Sequence, residues 1–134
     1  MKQSTTRFIM ILSAIFLATM GLSLTFLPTE IGELTGINPD KTFTVILQIV
    51  GALYFSFAML NWMAKGTIIG GIYNKPVSIA NLTHFVIGGL ALIKLLLNNH
   101  ELPYPIWILA GIYTVFAVLF GVIFSKNPVA ERND

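Results

Sequence analysis

The sequence predicts an all-α integral membrane protein, an up-down bundle of four transmembrane helices with both termini on the cytoplasmic side. The first observation behind this prediction is composition: 55% of the 134 residues are hydrophobic and only 10% are charged, with a mean hydropathy of +0.79. A water-soluble chain of this size could not cover so much apolar surface. The second observation is that four long apolar runs alternate with short polar connections. The length fits one membrane domain over residues 1–134.

The four apolar runs cover residues 8–27, 43–64, 77–97 and 106–124. At 1.5 Å per residue each can cross about 30 Å of hydrocarbon as a helix. The six prolines all fall outside these runs, where a missing N–H is tolerated: Pro28, Pro39, Pro76, Pro103, Pro105 and Pro128. Because the connections are short, consecutive helices must be antiparallel neighbours.

The first connection carries signals for a short helix of its own, at about residues 29–36. Pro28 and Glu30 form a helix-start pattern, and Ile31 and Leu34 follow at helical spacing. An amphipathic helix of this kind is expected to lie in the membrane interface.

Orientation follows from the basic residues next to the runs. One side collects Lys2, Arg7, Lys65, Lys75, Lys126 and Arg132, whereas the other has Lys41 and Lys94. The positive-inside rule therefore places both termini in the cytoplasm.

Several classes of function are disfavoured by what the chain lacks. A net charge of +2 on scattered residues gives no nucleic-acid footprint, and the chain contains no cysteine for thiol chemistry. The apolar runs contain no Asp or Glu, so a proton-coupled carboxylate and an acid partner for a catalytic base are missing. We predict no catalytic residue, no metal site and no cofactor.

Each run also carries a face of small or polar residues at alternating steps of four and three, which predicts the interior of the bundle. The four faces are Ala14, Ala18, Gly21 and Thr25; Gly51, Tyr54, Ala58, Asn61 and Lys65; Asn81, His84, Gly88 and Ala91; and Ala110, Thr114, Ala117 and Gly121. The phenylalanines between them, including Phe55, Phe57, Phe85, Phe116 and Phe120, are expected to face lipid or another copy of the chain.

Polar side chains within the runs give the candidate ligand-binding site: Tyr54, Asn61, Asn81 and His84. Asn61 lies about one turn before the end of the second run and Asn81 one turn into the third, so both lie near the cytoplasmic boundary, with His84 one turn deeper. One interpretation is a packing clamp, with Asn61 bonded to Asn81 and neutral His84 bonded to a hydroxyl or carbonyl group. The other is a polar pocket in which these groups orient a small ligand or lipid headgroup.

A second polar set, Gln48 and Lys94, lies towards the outer boundary. Lys94 is expected to extend its amine to the membrane surface. If it points inward instead, Gln48, Glu30 and Glu101 are its available partners.

The polar segments resemble a known group of proteins. Asn61-Trp62-Met63-Ala64-Lys65, then Lys75-Pro76, then Asn81-Leu82-Thr83-His84 are similar to the pattern of small four-helix bacterial membrane proteins of the DoxX-like kind. The resemblance covers the middle third of the chain. It implies a four-helix bundle in the bacterial inner membrane and no assigned chemistry.

The leading hypothesis is a non-enzymatic membrane protein that binds a lipid-like or small apolar ligand, or serves as an accessory subunit of a membrane complex. The expected partners are the lipid bilayer, a lipid-like small molecule, and further copies of this chain or other subunits, but no nucleic acid. One alternative is a small oligomeric transporter or channel. Another is a membrane enzyme that uses His84 as a base.

Overall fold

The polypeptide folds as a bundle of helices in a computed structural model that describes residues 3–67, 69 and 72–126. Within these residues, the elements in chain order are α1 (Gln3–Phe26), α2 (Pro28–Leu34), α3 (Lys41–Ala64), a 3₁₀ turn (Ile72–Asn74), α4 (Lys75–Asn98) and α5 (Tyr104–Ser125). The helices α1, α3, α4 and α5 are long and apolar enough to cross a membrane. The predicted all-helical class is confirmed, and each predicted run overlaps one of these four helices.

The helices begin where local chemistry favours a helix start. Pro28, Pro76 and Pro105 stand in the first turns of α2, α4 and α5, where the missing N–H costs nothing. Asp40 caps α3, since its side chain accepts a hydrogen bond of 2.7 Å from the backbone N–H of Phe43. The prolines therefore mark helix starts as well as connections.

The short helix α2 occupies most of the segment for which an interfacial helix is predicted. It is followed by Gly36, whose φ of +78° lies in the left-handed region that glycine adopts most easily. This turn directs the chain back towards the start of α3.

Side-chain pairs show that consecutive long helices run antiparallel. Asn61 near the end of α3 donates to Ser13 in the first half of α1, whereas Gln48 near the start of α3 donates to the backbone carbonyl of Thr25 near the end of α1. In the second pair, Lys75 at the start of α4 lies over the ring of Phe124 at the end of α5. The order is that of an up-down bundle.

Helices α1 and α3 pack backbone to backbone along their length. A Cβ atom added to Gly21 would lie 2.7 Å from the backbone nitrogen of Phe55 and 2.8 Å from the carbonyl oxygen of Gly51. One added to Gly51 would lie 2.5 Å from Oγ1 of Thr25. Small residues therefore allow this pair its close approach.

The α1/α3 pair meets the α4/α5 pair through large rings rather than through backbones. Phe16 of α1 reaches across to Phe85, Tyr113 and Phe116, with ring centroids 6.4, 6.1 and 5.7 Å away. Phe85 also stacks on Phe120 at 5.7 Å. An aromatic layer thus fills the space between the two pairs.

The predicted inner faces of α1 and α3 do point inward, because Ala14, Gly21, Gly51 and Ala58 are buried. The prediction is partly wrong for both α5 and α4, although Ala110 and Asn81 are buried as predicted. Phe85, Phe116 and Phe120 are in the core, at 0%, 8% and 0% exposure, instead of facing outward. Thr114 and Ala91 are exposed. The wider gap between the helix pairs needs large side chains to fill it, so the aromatic face of α5 turns inward.

Two basic residues used to predict orientation, Lys2 and Arg132, lie outside the described residues. Among the described ones, Arg7, Lys65, Lys75 and Lys126 lie at or next to helix ends that meet at the same end of the bundle. Four of the six basic residues predicted to lie on the cytoplasmic side are therefore found at one end of the bundle.

Candidate ligand-binding site

Asn61 of α3 and Asn81 of α4 face each other and exchange a reciprocal pair of hydrogen bonds. The Nδ2 of each donates to the Oδ1 of the other at 2.7 Å. Both side chains are fully buried. Two parallel bonds between facing amides fix the register of α3 against α4.

The remaining amide hydrogens of this pair also have partners. Asn61 Nδ2 donates to Oγ of Ser13 at 2.9 Å, and Ser13 donates in turn to the carbonyl oxygen of Met10. Asn81 Nδ2 donates to the carbonyl oxygen of Val77 at 2.9 Å. All four amide hydrogens are therefore used inside the protein, and we call Ser13, Asn61 and Asn81 the amide cluster. It is the arrangement expected of the packing clamp.

Ser78 lies one turn before Asn81 on α4 and is also fully buried. Its Oγ is the one buried side-chain oxygen or nitrogen in the described part of the chain that has no hydrogen-bond partner. A buried hydroxyl left unpaired destabilises the fold, so Ser78 contributes less to stability than an apolar residue of similar size would.

The second polar group of the bundle is a chain of hydrogen bonds from Tyr54 through Tyr113 to His84. The hydroxyl groups of Tyr54 and Tyr113 bond to each other, and the hydroxyl of Tyr113 lies 3.1 Å from Nε2 of His84. The chain links α3, α5 and α4 in that order. We call these three residues the tyrosine–histidine chain.

Tyr113 is the site residue that sequence reasoning missed. Its ring lies against Gly88, where an added Cβ would be 2.5 Å from Tyr113 Cε1. The residue is buried, at 2% exposure. The signal that could have found it is its hydroxyl group, which in the middle of an apolar run needs a polar partner.

Aromatic rings surround the imidazole of His84. The ring of Phe57 stacks on it at 5.4 Å between centroids, with an interplanar angle of 26°. Tyr54 and Phe85 meet it edge to face at 5.2 and 5.0 Å. These rings hold the imidazole plane in one orientation.

The other imidazole nitrogen, Nδ1, has no hydrogen-bond partner among the described residues and is not fully buried. His84 as a whole is partly exposed. Helical neighbours of Phe57 and His84 on this side are apolar and open to the surroundings: Leu53, Leu60 and Ile87 are 60%, 40% and 64% exposed. We call this region, between α3 and α4, the His84 groove.

Three of the four predicted site residues direct their polar side-chain atoms at other residues of the bundle, and His84 does so with one of its two ring nitrogens. Asn61 and Asn81 direct their polar atoms at each other, and Tyr54 directs its hydroxyl at Tyr113. His84 differs from the other three, because its Nδ1 has no hydrogen-bond partner among the described residues and is not fully buried. A ligand-binding role for the set stays a prediction.

Gln48 and Lys94, the polar residues predicted to lie towards the outer boundary, are apart from this site. Gln48 is exposed and its Nε2 donates to the carbonyl oxygen of Thr25 at 3.3 Å. Lys94 is exposed on α4, as its predicted extension to the membrane surface requires. In the described part of the chain, no three His, Asp, Glu or Cys residues are grouped so that they could hold a metal ion.

No protein family model, curated protein or solved structure matches this chain. The DoxX-like resemblance therefore stays a prediction.

Proposed function

We propose that this chain is an integral membrane protein of the bacterial inner membrane, with α1, α3, α4 and α5 crossing the bilayer and both termini in the cytoplasm. The length and hydropathy of the four helices support the spanning role. The basic residues at the end of the bundle that holds Arg7 and Lys65 support the orientation. The amine of Lys65 lies 3.3 Å from the centroid of the half-exposed Trp62 ring, an arrangement typical of a helix end at the lipid headgroups.

Cysteine labelling tests the orientation without background, because the chain has no native cysteine. Thr67→Cys, in the connection after α3, is expected to react in intact cells only with a membrane-permeant maleimide. His100→Cys, in the connection between α4 and α5, is expected to react also with an impermeant one. The reverse labelling pattern would contradict the proposed orientation.

Within the membrane, we propose that the protein binds a lipid-like or small apolar ligand without catalysing a reaction. The observation that carries this proposal is the Nδ1 atom of His84, which has no partner among the described residues, is not fully buried, and has exposed apolar side chains nearby on its own helix and on α3. A polar atom that faces hydrocarbon without a partner costs free energy, and a ligand that bonds to it recovers that cost. The amide cluster and Tyr113 hold the helices that form the groove.

Native mass spectrometry of protein released gently from membranes tests the binding. Wild-type protein is expected to retain a stoichiometric extra mass, which His84→Phe loses because Phe fills the ring's place without a polar nitrogen. His100→Phe, in the exposed outer connection, is the matched control and should keep the mass. Circular dichroism and thermal unfolding confirm that both variants fold.

The alternative outcomes separate the rival functions. A bare protein, or an extra mass that His84→Phe retains, would contradict ligand binding through His84. A retained mass the size of a polypeptide would instead identify an accessory subunit of a membrane complex.

A further inference from the structure

The tyrosine–histidine chain has two possible directions, which differ in the protons they leave unpaired. In the first, the hydroxyl of Tyr54 donates to Tyr113, and the hydroxyl of Tyr113 donates to Nε2 of His84. Neutral imidazole carries one proton, so Nε2 is then the acceptor and Nδ1 carries the N–H. One group, this Nδ1–H, is then left without a partner among the described residues, and it is not fully buried.

In the second direction, Nε2–H donates to Tyr113 and the hydroxyl of Tyr113 donates to Tyr54. The hydroxyl hydrogen of Tyr54 then has no acceptor among the described residues, and Nδ1 is unpaired as well. Two unpaired polar groups in an apolar environment cost more than one. The first direction is therefore the more stable, and it presents a hydrogen-bond donor to the His84 groove.

From this arrangement we infer that the His84 groove takes an apolar molecule carrying a neutral carbonyl oxygen, which accepts a hydrogen bond from Nδ1–H of His84. This inference rests on the proposed function and adds the chemical class of the ligand. A charged oxygen is disfavoured because the basic side chain at the start of the same helix, Lys75, is nine residues away. At 1.5 Å per residue that separation is about 14 Å along the helix, too far to neutralise a charge within hydrocarbon.

The same distance excludes the ester groups of ordinary bilayer phospholipids as the acceptor. Lys75 begins α4 at the expected headgroup level, so His84 lies well inside the hydrocarbon layer. A ligand must therefore bring its carbonyl group to this depth within an otherwise apolar body. The stacked ring of Phe57 and the exposed Leu60 provide apolar contacts beside the donor.

Nitrogen NMR of protein labelled with ¹⁵N-histidine tests both which nitrogen of His84 carries the proton and whether that nitrogen bonds to a carbonyl group. The chain has two histidines, so His100 serves as an internal control. We expect Nδ1 of His84 to show the signal of a protonated imidazole nitrogen and Nε2 that of an unprotonated one. Methyl nonyl ketone added to the micelles is expected to shift the Nδ1 signal of His84, whereas undecane, of equal chain length, should not. The signals of His100 should stay in place with either compound.

Tyr113→Phe tests whether the hydroxyl group of Tyr113 determines which nitrogen of His84 carries the proton, because the imidazole itself is unchanged. Without the hydroxyl, Nε2 loses its donor, so the protonated Nδ1 form should lose its preference. With the two neutral forms of the imidazole about equally populated, the affinity for the ketone is expected to fall about twofold, in proportion to the Nδ1–H form that remains. Tyr54→Phe should keep the Nδ1–H form, because Tyr113 can still donate to Nε2.

The outcomes distinguish this inference from the proposed function. Protonation at Nε2 in the wild-type protein, or equal shifts with ketone and undecane, would overturn the carbonyl assignment. Ligand binding would nevertheless stand if the retained mass still depended on His84. Loss of that dependence would remove the proposed function, and the ligand class with it.

Discussion

The reciprocal bonds between Asn61 and Asn81 allow a quantitative prediction. Asn61→Leu removes both of these bonds and also the bond to Ser13. Hydrogen bonds between membrane helices contribute about 0.6 kcal/mol each on average, so the variant should lower the free energy of unfolding by about 2 kcal/mol. Asn81→Leu removes the same two bonds to Asn61, together with the bond to the backbone of its own helix.

The decisive quantity is the coupling energy between the two substitutions. Because the single variants each remove the same two bonds, the double variant should be less destabilised than the two single effects added together, by about 1 kcal/mol. Replacing both partners also leaves neither amide unpaired, which reduces the cost further.

Equilibrium unfolding measures these energies, with sodium dodecyl sulfate titrated into mild-detergent micelles and helix content followed by circular dichroism. Gln48→Leu is the control, since Gln48 is exposed and makes a single long bond. It should change the free energy of unfolding by less than about 0.5 kcal/mol. Single effects that simply add, with no coupling, would refute the reciprocal pairing.

Three further predictions concern packing. Gly51→Ala should destabilise the fold by about 1–3 kcal/mol, because the new Cβ would meet the backbone of α1 at 2.8 Å. Gly111→Ala is the control: no atom lies within 4 Å of its new Cβ, so it should be neutral in the same unfolding assay. Gly88→Ala should displace the ring of Tyr113 and so disturb the ¹⁵N signals of His84. Gly89→Ala is the control, because the nearest atom to its new Cβ is 3.7 Å away, and it should leave these signals unchanged. Ser78→Ala should raise the free energy of unfolding by about 1 kcal/mol, because it removes an unpaired buried hydroxyl; a loss of stability would show that the hydroxyl has a partner.

The sequence by itself determined the helices. Hydropathy over about twenty residues and the placement of proline are local properties, so the four long helices and the short α2 can be read from them. The amides are predictable on the same grounds: a polar side chain within an apolar run needs a polar partner, and Asn61 and Asn81 lie at matching depths on consecutive helices.

Only the tertiary structure decided which faces turn inward and which groups pair. In a bilayer, lipid is as apolar as a protein core, so hydropathy cannot distinguish an inner from an outer face. On α5 the rings of Phe116 and Phe120, rather than the predicted Thr114, lie in the gap between the helix pairs. Tyr113 could not be assigned to the site from the sequence, because hydropathy does not show that its face of α5 turns inward. Its position opposite Gly88 depends on how α5 packs against α4, and that packing determines which nitrogen of His84 stays free.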